Sequence, residues 1–428
     1  MADNQDGQSV MNRWLGVVGA ILIQLALGAI YAWSVFPPPL KEAGWTKGQT
    51  MYVFAAGLAS FAVVMVLAGR LMPKLGPRTL AMLGGLVLGA GYFLGGLVGG
   101  TSVMRLVLLI GIAGGAGIGL AYVVPIAVGM RWFPDKKGLI TGLAVAGFGF
   151  GAMVWVKFAG KWGNLIANYG LSKTFMMYGV VFAIMVVVGG IVMVFPPDGW
   201  RPEGWTPPEP KAGAPTADAL AMTSSEMLGT PQFYMIFVTF LVSAGAGLMT
   251  IGLMKLYPIE ALTARGLEKE AASAVAGTAM AVFFSLANGI GRIAWGALSD
   301  KLGRKLSIII MTASQGVLLL AFTKMAGLPV ALYVGATLIG FNFGGNFALF
   351  PTITADTFGT KYVGQNYPWV FLSYGVGGIL GPILGGKLGD MNNFPLAFTI
   401  CGVLCLAAAG VIAGVKPPRK ELPVESKG

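Results

Sequence analysis

Apolar stretches recur along the whole chain, interrupted by short polar segments. They lie near 14–36, 51–72, 79–100, 106–130, 139–160, 174–195, 232–254, 273–298, 306–324, 329–350, 364–386 and 396–415. About 20 helical residues, rising 1.5 Å each, cross a hydrocarbon core of about 30 Å. The pattern predicts an all-α membrane protein of twelve transmembrane helices. The first stretch exceeds the apolar region of a secretory leader and lacks its small-residue cleavage site, so it reads as a retained helix.

The pattern repeats once. "GRLMPKLGPR" (69–78) and "GALSDKLGRK" (296–305) are one phrase offset by 227 residues, and Pro125 and Pro351 are offset by 226. Phe133 and Phe358 differ by 225, and Gly147 and Gly375 by 228. A steady offset implies two pseudo-symmetric six-helix bundles, 1–195 and 231–428, joined by a linker over 196–230. The linker sequence "PPDGWRPEGWTPPEPKAGAPTADALAMTSSEML" is too rich in Pro, Gly, Ser and Thr to span a bilayer.

Composition narrows the function. Of 428 residues 56% are hydrophobic and 11% charged, against roughly 25% charged in soluble domains. Arg70, Lys74, Arg78, Arg131, Lys136, Lys137, Lys301, Arg304, Lys305, Lys416, Arg419 and Lys420 fall on one set of loops. The other set holds fewer and scattered cations, such as Lys41, Lys47, Lys255 and Lys269. Cations favour the inner side, which places both termini in the cytoplasm. The net charge of +12 therefore reflects topology. Nucleic acid is not a partner, since no basic-aromatic surface module accompanies the charge. The chain contains no histidine, which removes histidine triads, histidine proton relays and most zinc chemistry. Cys401 and Cys405 are four apart in the last apolar run and imply neither a disulfide nor a metal site. No reactive constellation points to an enzyme, and no cofactor is expected.

The repeated phrase resembles the cytoplasmic loop signature of the major facilitator superfamily. The second copy is complete, with Gly296, Asp300, Lys301, Gly303 and Arg304; the first has Gly69, Arg70, Gly76 and Arg78, with Pro73 where an acid is expected. The resemblance implies a gating and fold-holding role: glycine lets helices approach, while acid and base clamp loop to helix. "WFPDKKGLITGLAVAGFGFG" (132–151) is similar to the helix four–five signature of monocarboxylate transporters and oxalate/formate antiporters. "EMLGTPQFY" (226–234) and "FALFPTITADTFG" (347–359) resemble the latter group. The resemblance implies a multi-pass carrier of small carboxylates in the cytoplasmic membrane of a bacterium, read as a monomer. It would work by alternating access, with its site between the halves near the midplane.

Arg292 supports that reading independently. It interrupts the apolar run that opens "SLANGIGRIAWGALSDKLGRK", where the only acid, Asp300, comes eight residues later at the helix end. Subtracting 227 turns Arg292 into Met65 and Asn288 into Phe61, so packing in the first half does without the charge. Seven residues from the Ser299–Asp300 helix end put it roughly 10 Å deep. There an arginine costs about 2.5 kcal/mol or more. Ser285, Asn288, Arg292 and Ser299 form one polar stripe, expected to face a water-filled cavity where the substrate brings the missing counter-charge. A guanidinium fork matches a carboxylate's two oxygens. One fixed cation balances one carboxylate, which favours a monocarboxylate such as lactate or pyruvate. In the oxalate/formate pattern helix eleven carries a second cation; here that place holds Tyr374.

The resemblance further implies substrate-facing roles for Tyr31 and Tyr122 and an aromatic cage of Phe148, Phe343, Phe347 and Tyr374. Each aromatic also suits core packing, but a buried phenol wants a hydrogen-bond partner. Asn342 and Asn346 can bond either a substrate hydroxyl or a neighbouring helix, and Gln24 is similar. Lys157 and Lys161 lie near a helix end and are given no role. Two coupling mechanisms remain open. With no mid-span acid, a proton can ride on the substrate or on an edge acid such as Glu260. Alternatively the carrier exchanges one carboxylate for another, because Arg292 returns poorly unpaired. A sensor, a channel and a neutral-sugar carrier fit less well: the termini are short, the repeat carries paired loops, and mid-span Asn, Gln and acids are few.

Overall fold

Apolar runs of this length satisfy their backbone hydrogen bonds only by coiling, because lipid offers no partners. A computed structural model describes residues 2–3, 9–160, 162–206, 221–416 and 418. Eleven helical runs are long and apolar enough to cross a membrane. One of them, Gln49–Gly99, has 51 residues, roughly 75 Å if straight. It breaks at Gly76, whose φ of 76° only glycine adopts freely. The break divides it into two crossings, so the twelve predicted spans are all present.

They are α1 (Arg13–Leu27, extended by a 3-10 stretch Gly28–Val35), α2 (47–75), α3 (77–94) and α4 (Val103–Trp132). α5 (Lys137–Ala159) and α6 (Leu165–Ile191) complete the first set. α7 (Pro231–Leu253), α8 (Lys269–Leu302), α9 (Arg304–Met325), α10 (Pro329–Phe358), α11 (Val363–Asp390) and α12 (Phe394–Ala413) form the second. α6 begins earlier than its hydropathy predicts, because Gly170 at φ 75° adds a short turn before the apolar run. Only part of the 196–230 segment lies among the described residues. Its last stretch is pinned to the α10–α11 turn, where Met222 N–H donates to the Phe358 carbonyl at 2.9 Å.

The start of α1 and the end of α12 lie on one face. Arg13 pairs with Asp135 at 3.0 Å beside the α4–α5 turn, and Lys305 donates to the Ala413 and Val415 carbonyls. The repeated phrases sit on this same face. α5 packs on α8 and α10, and α11 packs on α2 and α4, bringing the two helix sets together. Contacts there alternate between close backbone and charge. A Cβ on Gly138 would collide with the Gly296 carbonyl, and one on Gly69 would stand 2.6 Å from the Gly364 carbonyl. Asp300 accepts the first N–H groups of α5, from Gly138 at 2.9 Å and Leu139 at 2.8 Å. Those N–H groups have no helical partner of their own. Arg304 bridges Asp300 at 2.6 Å and Asp356 at 3.1 Å, and Lys137 of α5 reaches Asp356 at 2.9 Å.

The first copy of the phrase works differently. Where Pro73 replaces the acid, Arg70 lies over the Trp369 ring at 5.4 Å. Gly303 turns the second copy at φ 87°, as Gly76 turns the first. Arg78 and Lys301 are exposed.

Adding bulk inside this close approach should part the face. Gly142→Val would meet the Arg292 carbonyl. It is expected to raise maleimide labelling of Ser299→Cys at least about five-fold in a chain whose own cysteines are replaced by Ala. An unchanged rate would mean that the α5–α8 contact does not hold the face shut.

Candidate functional site

The same small residues that close the face set the depth of Arg292. A Cβ on Gly142 of α5 would strike its carbonyl, and one on Gly344 of α10 would strike that of Asn288. α8 is thus wedged between α5 and α10, and Arg292 projects into the seam with 0% exposure. Its Nη1 donates to the Val145 carbonyl of α5 at 2.8 Å, and Nε to Asn288 Oδ1 at 3.3 Å. The guanidinium carbon stands 4.2 Å from the centroid of Phe347, a cation–π contact that partly offsets desolvation. Nη2 is buried with no hydrogen-bond partner among the described residues. None of the ion pairs among them includes Arg292; the paired acids sit at the closed face or at Arg13. The charge is buried within the protein and unpaired with any acid among the described residues.

Four tyrosines, Tyr122, Tyr31, Tyr374 and Tyr367, lie near that charge. The Tyr31 and Tyr374 hydroxyls hydrogen-bond to each other across the seam. The hydroxyls of Tyr122 and Tyr367 are buried without a partner among the described residues. Aromatic rings from both helix sets form the wall. Phe148 stands 5.4 Å from Tyr31 and 5.2 Å from Tyr122, and Phe61 stands 5.1 Å from Tyr122. Phe371 joins the sets, 5.3 Å from Tyr122 and 5.1 Å from Tyr374. Phe347 packs on Tyr374 at 5.3 Å. Such a wall surrounds the one fork with aromatic faces and edges.

Arg292, Asn288, Tyr31, Tyr122, Phe148, Phe347 and Tyr374 therefore come together. Phe343 stands one layer back, 5.4 Å from Phe347 and 6.0 Å from Phe284. Asn346 spends its amide on the Phe343 carbonyl at 3.1 Å, leaving Oδ1 unpartnered. Asn342 binds Ser314 of α9 at 3.0 Å and joins two helices. Gln24 donates to the Tyr122 carbonyl at 3.0 Å, tying α1 to α4. Lys161 lies outside the described residues.

One expectation is corrected. The stripe from Ser285 to Ser299 does not face a water-filled cavity as a unit. Ser285 donates to the Met280 carbonyl, Ser299 accepts from Arg304 at the closed face, and Arg292 is closed over. The reason is the glycine-mediated approach of α5, which covers the stripe.

Sequence reasoning missed Phe61, Phe371 and Tyr367. Phe61 was signalled, because it is the offset partner of Asn288. Tyr367, Phe371 and Tyr374 fall at i, i+4 and i+7 on one face of α11, a periodicity that extends the cage from Tyr374 alone. Among the described residues no cluster of His, Cys, Asp and Glu could hold a metal ion.

Comparison with known proteins places the chain. A family model described as Major Facilitator Superfamily matches residues 17–284 and 261–428. An MFS-type transporter of Escherichia coli K12, YhjX, is 31% identical over 86% of this chain and 86% of its own. The oxalate:formate antiporter of Oxalobacter formigenes is 28% identical over 97% and 95%. Apicoplast pyruvate carrier 1 of Toxoplasma gondii is 24% identical over 86% and 83%. The crystal structure of the E. coli fucose:proton symporter superposes with a TM-score of 0.66 at 15% identity, covering 93% of this chain and 97% of that one. At that identity the likeness shows the fold alone.

An uncompensated buried cation is a stability cost, not a stability device. Arg292→Met keeps an apolar stem of similar length and is expected to melt at the same temperature as wild type or higher, in detergent without added anion. A fall of several degrees would show that the charge serves the fold.

Proposed function

Because this chain belongs to the Major Facilitator Superfamily, we propose that it is a secondary transporter of a small monocarboxylate such as lactate or pyruvate. It carries the anion with a proton by alternating access between the bundles 1–195 and 231–428, joined by 196–230. Its membrane is the cytoplasmic membrane of a bacterium, with both termini inside, and it functions as a monomer. The observation that carries this reading is Arg292: fully buried in the seam, free of any acid, with Nη2 available.

A carboxylate placed against Nη2 makes a charge-assisted hydrogen bond in a dry, aromatic-walled space, where such a bond is strongest. One cation and one carboxylate leave the loaded seam neutral, which lowers the cost of reorienting it. A dianion would leave net negative charge, since Tyr374 occupies the place of a second cation. Asn288 sets the fork's orientation through Nε. Phe148, Phe347 and Tyr374 exclude water, and Tyr31 with Tyr374 closes the seam on one side of the guanidinium. The names of two long-range relatives, one a pyruvate carrier and one an oxalate:formate antiporter, fit a small carboxylate. The second of them, together with the absence of any acid paired to Arg292, favours a carboxylate-for-carboxylate exchanger as the second reading.

Two measurements divide these readings. Proteoliposomes free of internal anion should accumulate a radiolabelled monocarboxylate when an inward proton gradient is imposed. Uptake that needs a preloaded internal carboxylate would establish exchange instead. In a panel of mono- and dicarboxylates, the monocarboxylates should raise the melting temperature of wild type more than the dicarboxylates do and leave Arg292→Lys unmoved, because an ammonium cannot reproduce the fork. Equal stabilisation of both proteins would remove Arg292 from the site.

A further inference from the structure

We propose that Tyr367 is a second anion-binding residue. With Tyr122 and Arg292 Nη2 it forms a cradle of three donor groups on the flank of the guanidinium nearest the closed face, with Tyr122 reaching in from the first bundle. This deepens the reading above and rests on it.

Three observations converge. First, Tyr367 is 0% exposed and Tyr122 1% exposed, and both hydroxyls lack a hydrogen-bond partner among the described residues. A buried phenol left unpaired costs stability, so two of them beside an unpaired guanidinium N–H imply a shared acceptor. Second, both phenol rings pack on one ring, Phe371, at 5.7 Å for Tyr367 and 5.3 Å for Tyr122. The two side chains also lie near each other and near Arg292. Third, the other two phenols are already spent on one another, Tyr31 on Tyr374. Tyr367 lies seven residues from Tyr374 along α11, roughly 10 Å nearer the closed face.

The chemistry of the cradle follows from its inventory. Nη2 offers two N–H donors and Tyr122 and Tyr367 one O–H each, and the nearby acceptors Val145 O and Asn288 Oδ1 already receive Arg292. A deprotonated carboxylate supplies two oxygens with about four lone-pair sites. Four donors and a single positive charge therefore match one carboxylate. The phenols do the hydrogen-bonding work of a second cation without its charge, so the cradle holds a monoanion in two-sided contact and gives a dianion no additional balance.

The test measures half-saturation and maximal rate of acetate and pyruvate transport in proteoliposomes, for wild type, Tyr367→Phe, Tyr257→Phe and Arg292→Lys. Tyr367→Phe keeps the ring and removes one hydroxyl. It should raise half-saturation about ten-fold or more, the effect of losing a hydrogen bond to a charged acceptor, with maximal rate changed less than about two-fold. Tyr257, whose hydroxyl donates to the Thr323 carbonyl far from the seam at 3.0 Å, controls for loss of any buried phenol and should leave half-saturation unmoved. A Tyr367→Phe value within about two-fold of wild type, or an equal loss in Tyr257→Phe, overturns the cradle. Melting temperatures of the purified variants, read with and without acetate, supply a second readout: Tyr367→Phe should melt at or above wild type alone and be stabilised less by acetate, and equal stabilisation overturns the cradle. Arg292→Lys separates the two levels. If it loses binding while Tyr367→Phe keeps it, only the cradle fails; if it binds as wild type, the carboxylate site itself fails.

Discussion

A single guanidinium without a counter-charge constrains the rest of this molecule. Placing Arg292 in the seam costs several kcal/mol unless something offsets it, and the chain offsets only part. A carbonyl, an asparagine oxygen and an aromatic face attend three sides of the group, and both N–H groups of Nη2 remain without a partner among the described residues. That arrangement requires α5 and α8 to approach at backbone distance, which is why Gly138, Gly142 and Gly296 stand where they do. A side chain at any of them would separate the helices and admit water to the charge.

The two ends of the same seam divide the electrostatic labour. The face near the termini uses full charges, Lys137, Asp300, Arg304 and Asp356, with Asp300 also capping the start of α5. Deeper in, hydrogen bonding passes to phenols, which are neutral and can break and re-form without exposing charge to low dielectric. The Tyr31–Tyr374 contact is the deep counterpart of the charged contacts at the face. In the proposed alternating-access cycle such a gradient would help the seam open on either side: charged pairs near the face and weak, neutral bonds deeper in.

Much of this was legible from residues. Twelve apolar runs, the 227-residue offset and the lone Arg292 follow from the requirement that lipid-spanning segments be apolar and helical. Tyr31, Tyr122, Phe148, Phe347 and Tyr374 were reachable because a resemblance supplied their roles. Two things were not. The covering of the Ser285–Ser299 stripe depends on how closely α5 lies against α8, a tertiary distance that helical periodicity on α8 does not encode. Tyr367 escaped because its ring reads as ordinary core, and only the absence of a partner for its hydroxyl distinguishes it from Tyr257. Asn342 went the other way: its amide, open to either role in the sequence, joins α10 to α9.

The most direct test of the unbalanced guanidinium is a structure solved with bromoacetate, read from the anomalous signal of bromine. The account predicts one bromine in the aromatic-walled seam, with carboxylate oxygens within hydrogen-bond distance of Arg292 Nη2 and no acid side chain against the guanidinium. Bromine bound only outside the seam, or Arg292 paired to an aspartate or glutamate of the chain, would contradict it.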